Sequence, residues 1–345
     1  GIPEQLYQEL ENLPKRKYHV ETKSGATIPA ILSEETVQFG YDLPKDRFRV
    51  PYMARMIKVT LPLENMPAFS WETFALVEGE AKAEEKETMI HQSGRIIENG
   101  PLHLTIEKNG TITMEDRKNK RKLNNLHIFE DIGDIGNEYI FKQPFCDQPI
   151  LSSNKENSEV KVLVDTPEIA KISILQEMEI PVSADERLEK EQQMVVEFRY
   201  RKAERSKEKR ILQIKTIMTI RKDSKKIDFE TTLDNQMKDH RLRVLFPTKL
   251  HVEHHEADSI FEVVKRPNHV SKSWENPTNP QHQQAFVNIH DEEYGVTVGN
   301  FGLNEYEVTE DGQIAVTLLR SVGELGDWGY FPTPEAQCLG EHRDR

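Results

Sequence analysis

Ile211-Leu212-Gln213-Ile214-Lys215-Thr216-Ile217-Met218-Thr219-Ile220 is a β-branched run with a period of two. That pattern suits a pleated strand with one face in the core and the other in water. The same reading extends to Lys58-Val59-Thr60-Leu61, Leu102-His103-Leu104-Thr105-Ile106 and Lys161-Val162-Leu163-Val164. Most apolar stretches are this short and are rich in β-branched or aromatic side chains. Between them lie Lys108-Asn109-Gly110-Thr111 and Glu310-Asp311-Gly312-Gln313, where Asn, Asp and Gly accept the positive φ of a tight hairpin. Many short strands separated by turn signals predict an all-β protein of antiparallel sandwiches. Two stretches depart from this. Residues 4–13 read as helical or disordered, and residues 79–87 carry charge without an apolar stripe, as a linker does.

The 345 residues allow one large β domain and a small one. A net charge of −13 and a pI near 5.5 leave no global positive field to attract phosphate backbones or anionic lipid, so nucleic acid is not an expected partner. The basic run at 201–210 is interleaved with glutamates and reads as a solvated hairpin tip. Cys146 and Cys338 match no metal-ligand spacing and read as reduced, cytosolic thiols. No apolar run approaches the roughly 20 residues that span a bilayer, and Gly1-Ile2-Pro3-Glu4 lacks the features of a signal peptide. The expectation is a cytoplasmic protein without membrane contact, and the absence of a starting methionine suggests an excised portion of a longer chain.

Four segments, in order, resemble the C-terminal half of bacterial family 38 α-mannosidases. Residues 97–102 with 108–116 (IENGPL and KNGTITMED) are similar to that family's ENxxLxLxIxxNGTxTLxD. Residues 129–139, FEDIGDIGNEY, are similar to FEDxGDxGDEY, with Asn137 where the pattern usually has Asp. Residues 239–248, DHRLRVLFPT, are similar to DHRLRxxFPT, and residues 312–323 and 333–340 supply the last match. The resemblance spans about residues 15–340 and implies a small β-sandwich over 15–78 and a large, galactose-mutarotase-like super-sandwich over 88–345. Residues 1–14 would be an extension from a preceding helical region, and 79–87 the linker.

Members of that family are retaining glycosidases with two carboxylates about 5–5.5 Å apart and a divalent metal, usually zinc, that grips the sugar hydroxyls. The resemblance places the nucleophile, the acid/base and the metal ligands in an N-terminal catalytic domain of the same polypeptide. It therefore implies no catalytic residue and no metal ligand here. It does imply that Tyr139 and Arg320 reach an α-mannoside substrate, Tyr with a ring and a hydroxyl, Arg with a rigid fork. The competing reading makes Tyr139 a core aromatic and pairs Arg320 with an acid such as Glu324 or Asp327.

Asp239-His240-Arg241-Leu242-Arg243 places acid, imidazole and guanidinium side by side. On a strand neighbours point apart, with Asp239, Arg241 and Arg243 on one face and His240 on the other. A buried ion-pair and hydrogen-bond network holding two sheets together is the favoured reading. His251-Val252-Glu253-His254-His255-Glu256 fits no metal motif and reads as solvated strand and loop. The leading function is the non-catalytic part of an α-mannosidase. Its substrate is open between glycans and mannosylglycerate or its phosphate, and assembly into homo-oligomers is open too. The alternatives are a free-standing carbohydrate-binding module, for which Trp71, Trp274 and Trp328 are too dispersed to suggest a platform, and a purely structural interaction domain.

Overall fold

The computed structural model describes residues 4–63, 65–80, 88–270, 273 and 279–345. Most of the linker expected at 79–87 lies outside the described residues, as does Trp274. The chain forms two compact units, Gly1–Glu87 with Thr166–Glu168, and Thr88–Asp165 with Ile169–Arg345. Among the described residues there are only two α-helices, Glu4–Glu11 and Arg187–Gln193, and the strands pair antiparallel throughout. The protein is an all-β sandwich structure. No helix among the described residues is long and apolar enough to cross a membrane.

The first unit centres on Tyr18–Thr22, which pairs with Thr27–Ile28 and Phe74–Glu78, beside the hairpin Thr36–Asp42 and Val50–Met56. It buries Val20 but leaves Phe39, Tyr41 and Phe48 exposed.

The second unit is organised by two strands of 13 residues, Ile169–Pro181 and Lys209–Arg221, paired along their whole length. On Lys209–Arg221 the buried positions are Leu212, Ile214, Thr216, Met218 and Ile220, the alternation that the β-branched run predicts. Ile211, on the other face, is exposed. One end of the pair packs Ile172, Ile174 and Met218 against Leu104, Ile106 and Ile112 of a five-stranded sheet. The other end packs Met178, Ile180, Leu212 and Ile214 against Phe129, Leu242, Val244 and Tyr306 of a six-stranded sheet. In the six-stranded sheet Ile128–Gly133, His240–Pro247 and Gln313–Ser321 lie side by side. Three of the four motif segments of the sequence therefore meet on adjacent strands.

His127 sits at the edge of both cores with almost no exposure. Its ring stacks on Phe229 at 4.4 Å and meets Phe129 edge-on at 4.9 Å, while Nδ1 has no hydrogen-bond partner. Burial among aromatic rings penalises the imidazolium and lowers its pKa to about 3. The unfolded chain takes up a proton near the ordinary value of 6.5, whereas the folded chain does not until far lower pH. Stability is thus lost as pH falls from about 6.5 towards 3, by up to about 1.4 kcal/mol per pH unit from this group alone. His127→Phe removes that proton, so its stability relative to wild type improves as the pH falls. Urea denaturation of both proteins at pH 7 and pH 5 checks this, and parallel pH dependence in the two would refute it.

Candidate functional site

Tyr139 projects from the Gly-Asp-rich loop that leaves the strand Ile128–Gly133, and 67% of its surface is exposed. It is not a core aromatic. The backbone beneath it is held from several sides. Asp134 Oδ1 accepts from the Gly136 and Lys142 amides at 2.9 and 3.1 Å. Asn137 Oδ1 accepts from the Tyr139 and Ile140 amides, both at 3.0 Å, a role an aspartate would fill equally, so the departure at 137 leaves the turn intact. A Cβ at Gly136 would lie 1.9 Å from the Ile140 carbonyl oxygen, which restricts this position to glycine.

Arg320 closes the loop from the side. Its Nε donates to Asp134 Oδ2 at 2.6 Å, Nη2 to the Asn137 carbonyl at 2.6 Å, and Nη1 to the Glu138 carbonyl at 3.2 Å. The acid it pairs with is Asp134, rather than Glu324 or Asp327 as its sequence position had suggested. Glu324 belongs to Arg201, and Asp327 accepts from the Phe198 amide at 2.9 Å.

The basic run at 201–210 is the main correction to the sequence reading. Its arginines divide between solvent and core: two have buried side chains, and one of these, Arg201, anchors this loop. Arg201 is ion-paired to Glu324 with both side chains at 0–1% exposure, and its Nη1 donates to the Ile135 and Gly136 carbonyls at 2.9 and 2.8 Å. Arg205 pairs with Asp131. Alternating Lys, Arg and Glu looks the same in a list whether its partners are water or distant carboxylates, so no local signal could have separated these two from their neighbours.

His240, Arg241 and Arg243 are buried and Asp239 is half-buried, but the four do not form one cluster. His240 Nδ1 lies 2.5 Å from Asp131 Oδ2, and Nε2 lies 3.1 Å from Asn235 Oδ1 on the neighbouring sheet. Arg243 faces the other way, onto Glu130 at 2.6 Å and Glu307 at 2.6 Å. Burial lowers its pKa, but those two carboxylates outweigh burial and raise it overall. Arg241 lies under the Phe141 ring at 3.7 Å and 3.6 Å from Glu305, with Nε and Nη1 lacking hydrogen-bond partners. Burial depresses its pKa to about 10. Asp239, expected on the strand face of Arg241 and Arg243, instead precedes the strand in the left-handed region at φ 55°. It accepts from the Ala184 amide at 3.0 Å and from Gln337 Nε2 at 2.6 Å, and burial raises its pKa.

The histidine-rich segment 251–256 is not wholly solvated either. His255 is buried, with Nδ1 2.6 Å from Asn268 Oδ1 and Nε2 2.6 Å from the Tyr306 hydroxyl. Asn268 donates its amide to the Val252 carbonyl at 2.7 Å, and Arg266 donates to Tyr306 at 2.9 Å. The neutral tautomer protonated at Nδ1 satisfies every member, and burial lowers the pKa of His255. Both ring nitrogens are thereby occupied. Among the described residues no three His, Cys, Asp or Glu side chains converge as a metal site requires.

An aromatic group that sequence could not assemble lies beside Tyr139. Trp328 approaches the Tyr139 ring at 5.7 Å and the Phe331 ring at 5.8 Å.

The family description "Glycosyl hydrolases family 38 C-terminal domain 1" matches residues 1–78, and "Glycosyl hydrolases family 38 C-terminal domain" matches residues 97–324. A "Putative mannosylglycerate hydrolase" of Halalkalibacterium halodurans is 39% identical over 335 residues, covering 96% of this chain and 37% of that protein. The crystal structure of an α-mannosidase from Enterococcus faecalis V583 superposes with a TM-score of 0.88 at 53% identity, over 100% of this chain and 39% of the other. A second Enterococcus faecalis structure, of a protein in glycosyl hydrolase family 38, gives 0.86 and 50% over 100% and 40%. The chain thus spans about two fifths of the length of these relatives.

Removing the guanidinium of Arg201 while keeping Glu324 leaves a carboxylate buried without a counter-charge, which costs on the order of 3–5 kcal/mol. Arg201→Met should therefore destabilise the chain strongly in urea denaturation. The double substitution Arg201→Met with Glu324→Leu should recover most of that loss. Equal instability of the single and double variants would show that the pair is not what couples these positions.

Proposed function

Because the chain belongs to glycosyl hydrolase family 38, whose C-terminal domains it carries, we propose that it is the non-catalytic C-terminal part of a retaining, metal-dependent, cytoplasmic α-mannosidase. In this reading it completes the sugar site and braces an N-terminal catalytic domain of the same polypeptide. The observation that carries it is Tyr139, an exposed aromatic on a backbone fixed by Asp134, Asn137, Arg201 and Arg320. A surface ring held this firmly suits a ligand better than a fold, because ordering a loop costs conformational entropy that an exposed side chain does not return.

Tyr139 would offer its ring to the C–H face of a mannose and its hydroxyl to a sugar oxygen. Arg320 spends three N–H groups on the loop, which leaves one on each terminal nitrogen for a hydroxyl. Its first task is to position Tyr139. A glycosidase transition state carries positive charge and a flattened ring, so contacts that tighten on distortion lower the barrier. The nucleophile, the acid/base and the metal that would grip the substrate hydroxyls are assigned to the catalytic domain. Among the described residues no three His, Cys, Asp or Glu side chains converge to hold that metal. Hydrolysis of mannosylglycerate or its phosphate is the second reading, favoured by the Halalkalibacterium halodurans relative.

In the full-length protein Tyr139→Phe should lower kcat/KM on an aryl α-mannoside by about 1–3 kcal/mol in transition-state stabilisation, with the melting temperature unchanged. Wild-type activity with a lowered melting temperature would overturn the substrate role. The 345-residue chain alone should neither hydrolyse that substrate nor retain stoichiometric zinc after dialysis. One tightly bound zinc per chain would contradict the assignment of the metal to the other domain.

A further inference from the structure

Trp328 and Phe331 belong to the loop after Gln313–Ser321, and both keep much of their surface in solvent, at 62% and 43%. The loop that carries them is built rather than slack. Leu325 donates its amide to the Phe331 carbonyl at 3.0 Å, Thr333 to the Gly323 carbonyl at 2.8 Å, and Glu324 bridges to Pro332. Asp327 is fixed by the Phe198 amide. The Trp328 ring lies so close over Gly326 that a Cβ there would meet it at 1.8 Å. Buried Glu324 anchors this loop and the Tyr139 loop together, since its side chain holds Arg201 and its carbonyl accepts from the Glu138 amide at 3.0 Å.

The three rings are tilted at 44° and 46° to one another instead of stacked face to face, so their faces are not used up on each other. Exposed aromatic faces on a preorganised backbone are what the C–H surfaces of pyranose rings stack on.

We infer that Trp328 and Phe331 form a second sugar subsite, distinct from the Tyr139 contact, that takes a neutral pyranose ring bonded to the scissile mannose. This rests on the mannosidase reading above and deepens it. The Trp328 ring lies 5.7 Å from that of Tyr139, so a sugar bonded to a mannose resting on Tyr139 would fall within its reach. Trp328 is then a specificity-determining residue, favouring a saccharide leaving group over glycerate, whose carboxylate gains nothing from an aromatic face.

The test uses the full-length enzyme and three substrates: an α-linked mannobiose, mannosylglycerate, and α-mannosyl fluoride, whose leaving group is a single atom. Trp328→Ala should lower kcat/KM on mannobiose by about three- to tenfold, the range for an aromatic contact. It should leave α-mannosyl fluoride and mannosylglycerate within about twofold of wild type. Trp328→Tyr, which keeps a ring, should retain most of the mannobiose activity. Equal losses on all three substrates with a lower melting temperature would overturn the subsite and assign these rings to packing against the rest of the polypeptide. Unchanged mannobiose hydrolysis in Trp328→Ala would overturn it while sparing the mannosidase reading. A wild-type enzyme that cleaves none of the three would overturn both.

Discussion

The paired strands Ile169–Pro181 and Lys209–Arg221 stay in register for 13 residues, and both hydrophobic cores of the second unit rest on them. A single slip in that register would turn Leu212, Ile214, Met218 and Ile220 out to solvent. Each of those side chains contributes about 1.5–3 kcal/mol by burial, so the register is fixed many times over. Because the pair is longer than either facing sheet, its two ends pack against different partners, and the unit reads as one continuous sandwich rather than two.

What this rigidity supports is a surface made mostly of loops. At one end of the six-stranded sheet the loop after Ile128–Gly133 carries Tyr139, the last residues of the strand Gln313–Ser321 carry Arg320, and the loop after that strand carries Trp328. Loops hold position only when their polar backbone is satisfied, and here the partners are buried ions. Arg201 with Glu324, Arg205 with Asp131, and Arg320 with Asp134 each join a loop to a strand or to a second loop. Such pairs do little for net stability, since desolvation offsets most of the attraction. Their geometry is specific, however, and a carboxylate buried without its arginine is costly. They choose one loop conformation from many of similar energy.

The division of labour follows. In the proposed function a retaining, metal-dependent enzyme would draw its two carboxylates and its metal from the catalytic domain. Among the described residues no three His, Cys, Asp or Glu side chains converge, and two buried histidines are already committed, His127 confined among aromatic rings and His255 bonded at both nitrogens. The described residues supply shape instead: a fixed aromatic surface and an arginine with donors to spare. Under the proposed function those groups would recognise a sugar without reacting with it.

The sequence by itself determined the strands, because period-two alternation and β-branched residues are local properties, legible at 102–106 and 211–220 without knowledge of any partner. It also marked the turns at Asn109-Gly110 and Asp311-Gly312, and the motifs that carry the family resemblance. It could not sort Arg201 and Arg205 from the exposed basic residues around them, nor His255 from its solvated neighbour His254. Burial of a charged or polar side chain depends on a partner distant in sequence, and no window of residues contains that partner. The same reason hid the aromatic cluster. Three dispersed tryptophans suggested no platform, and only the tertiary structure brought Trp328 beside a tyrosine and a phenylalanine, because the loops that carry them converge through the buried carboxylate of Glu324 and the backbone beside it.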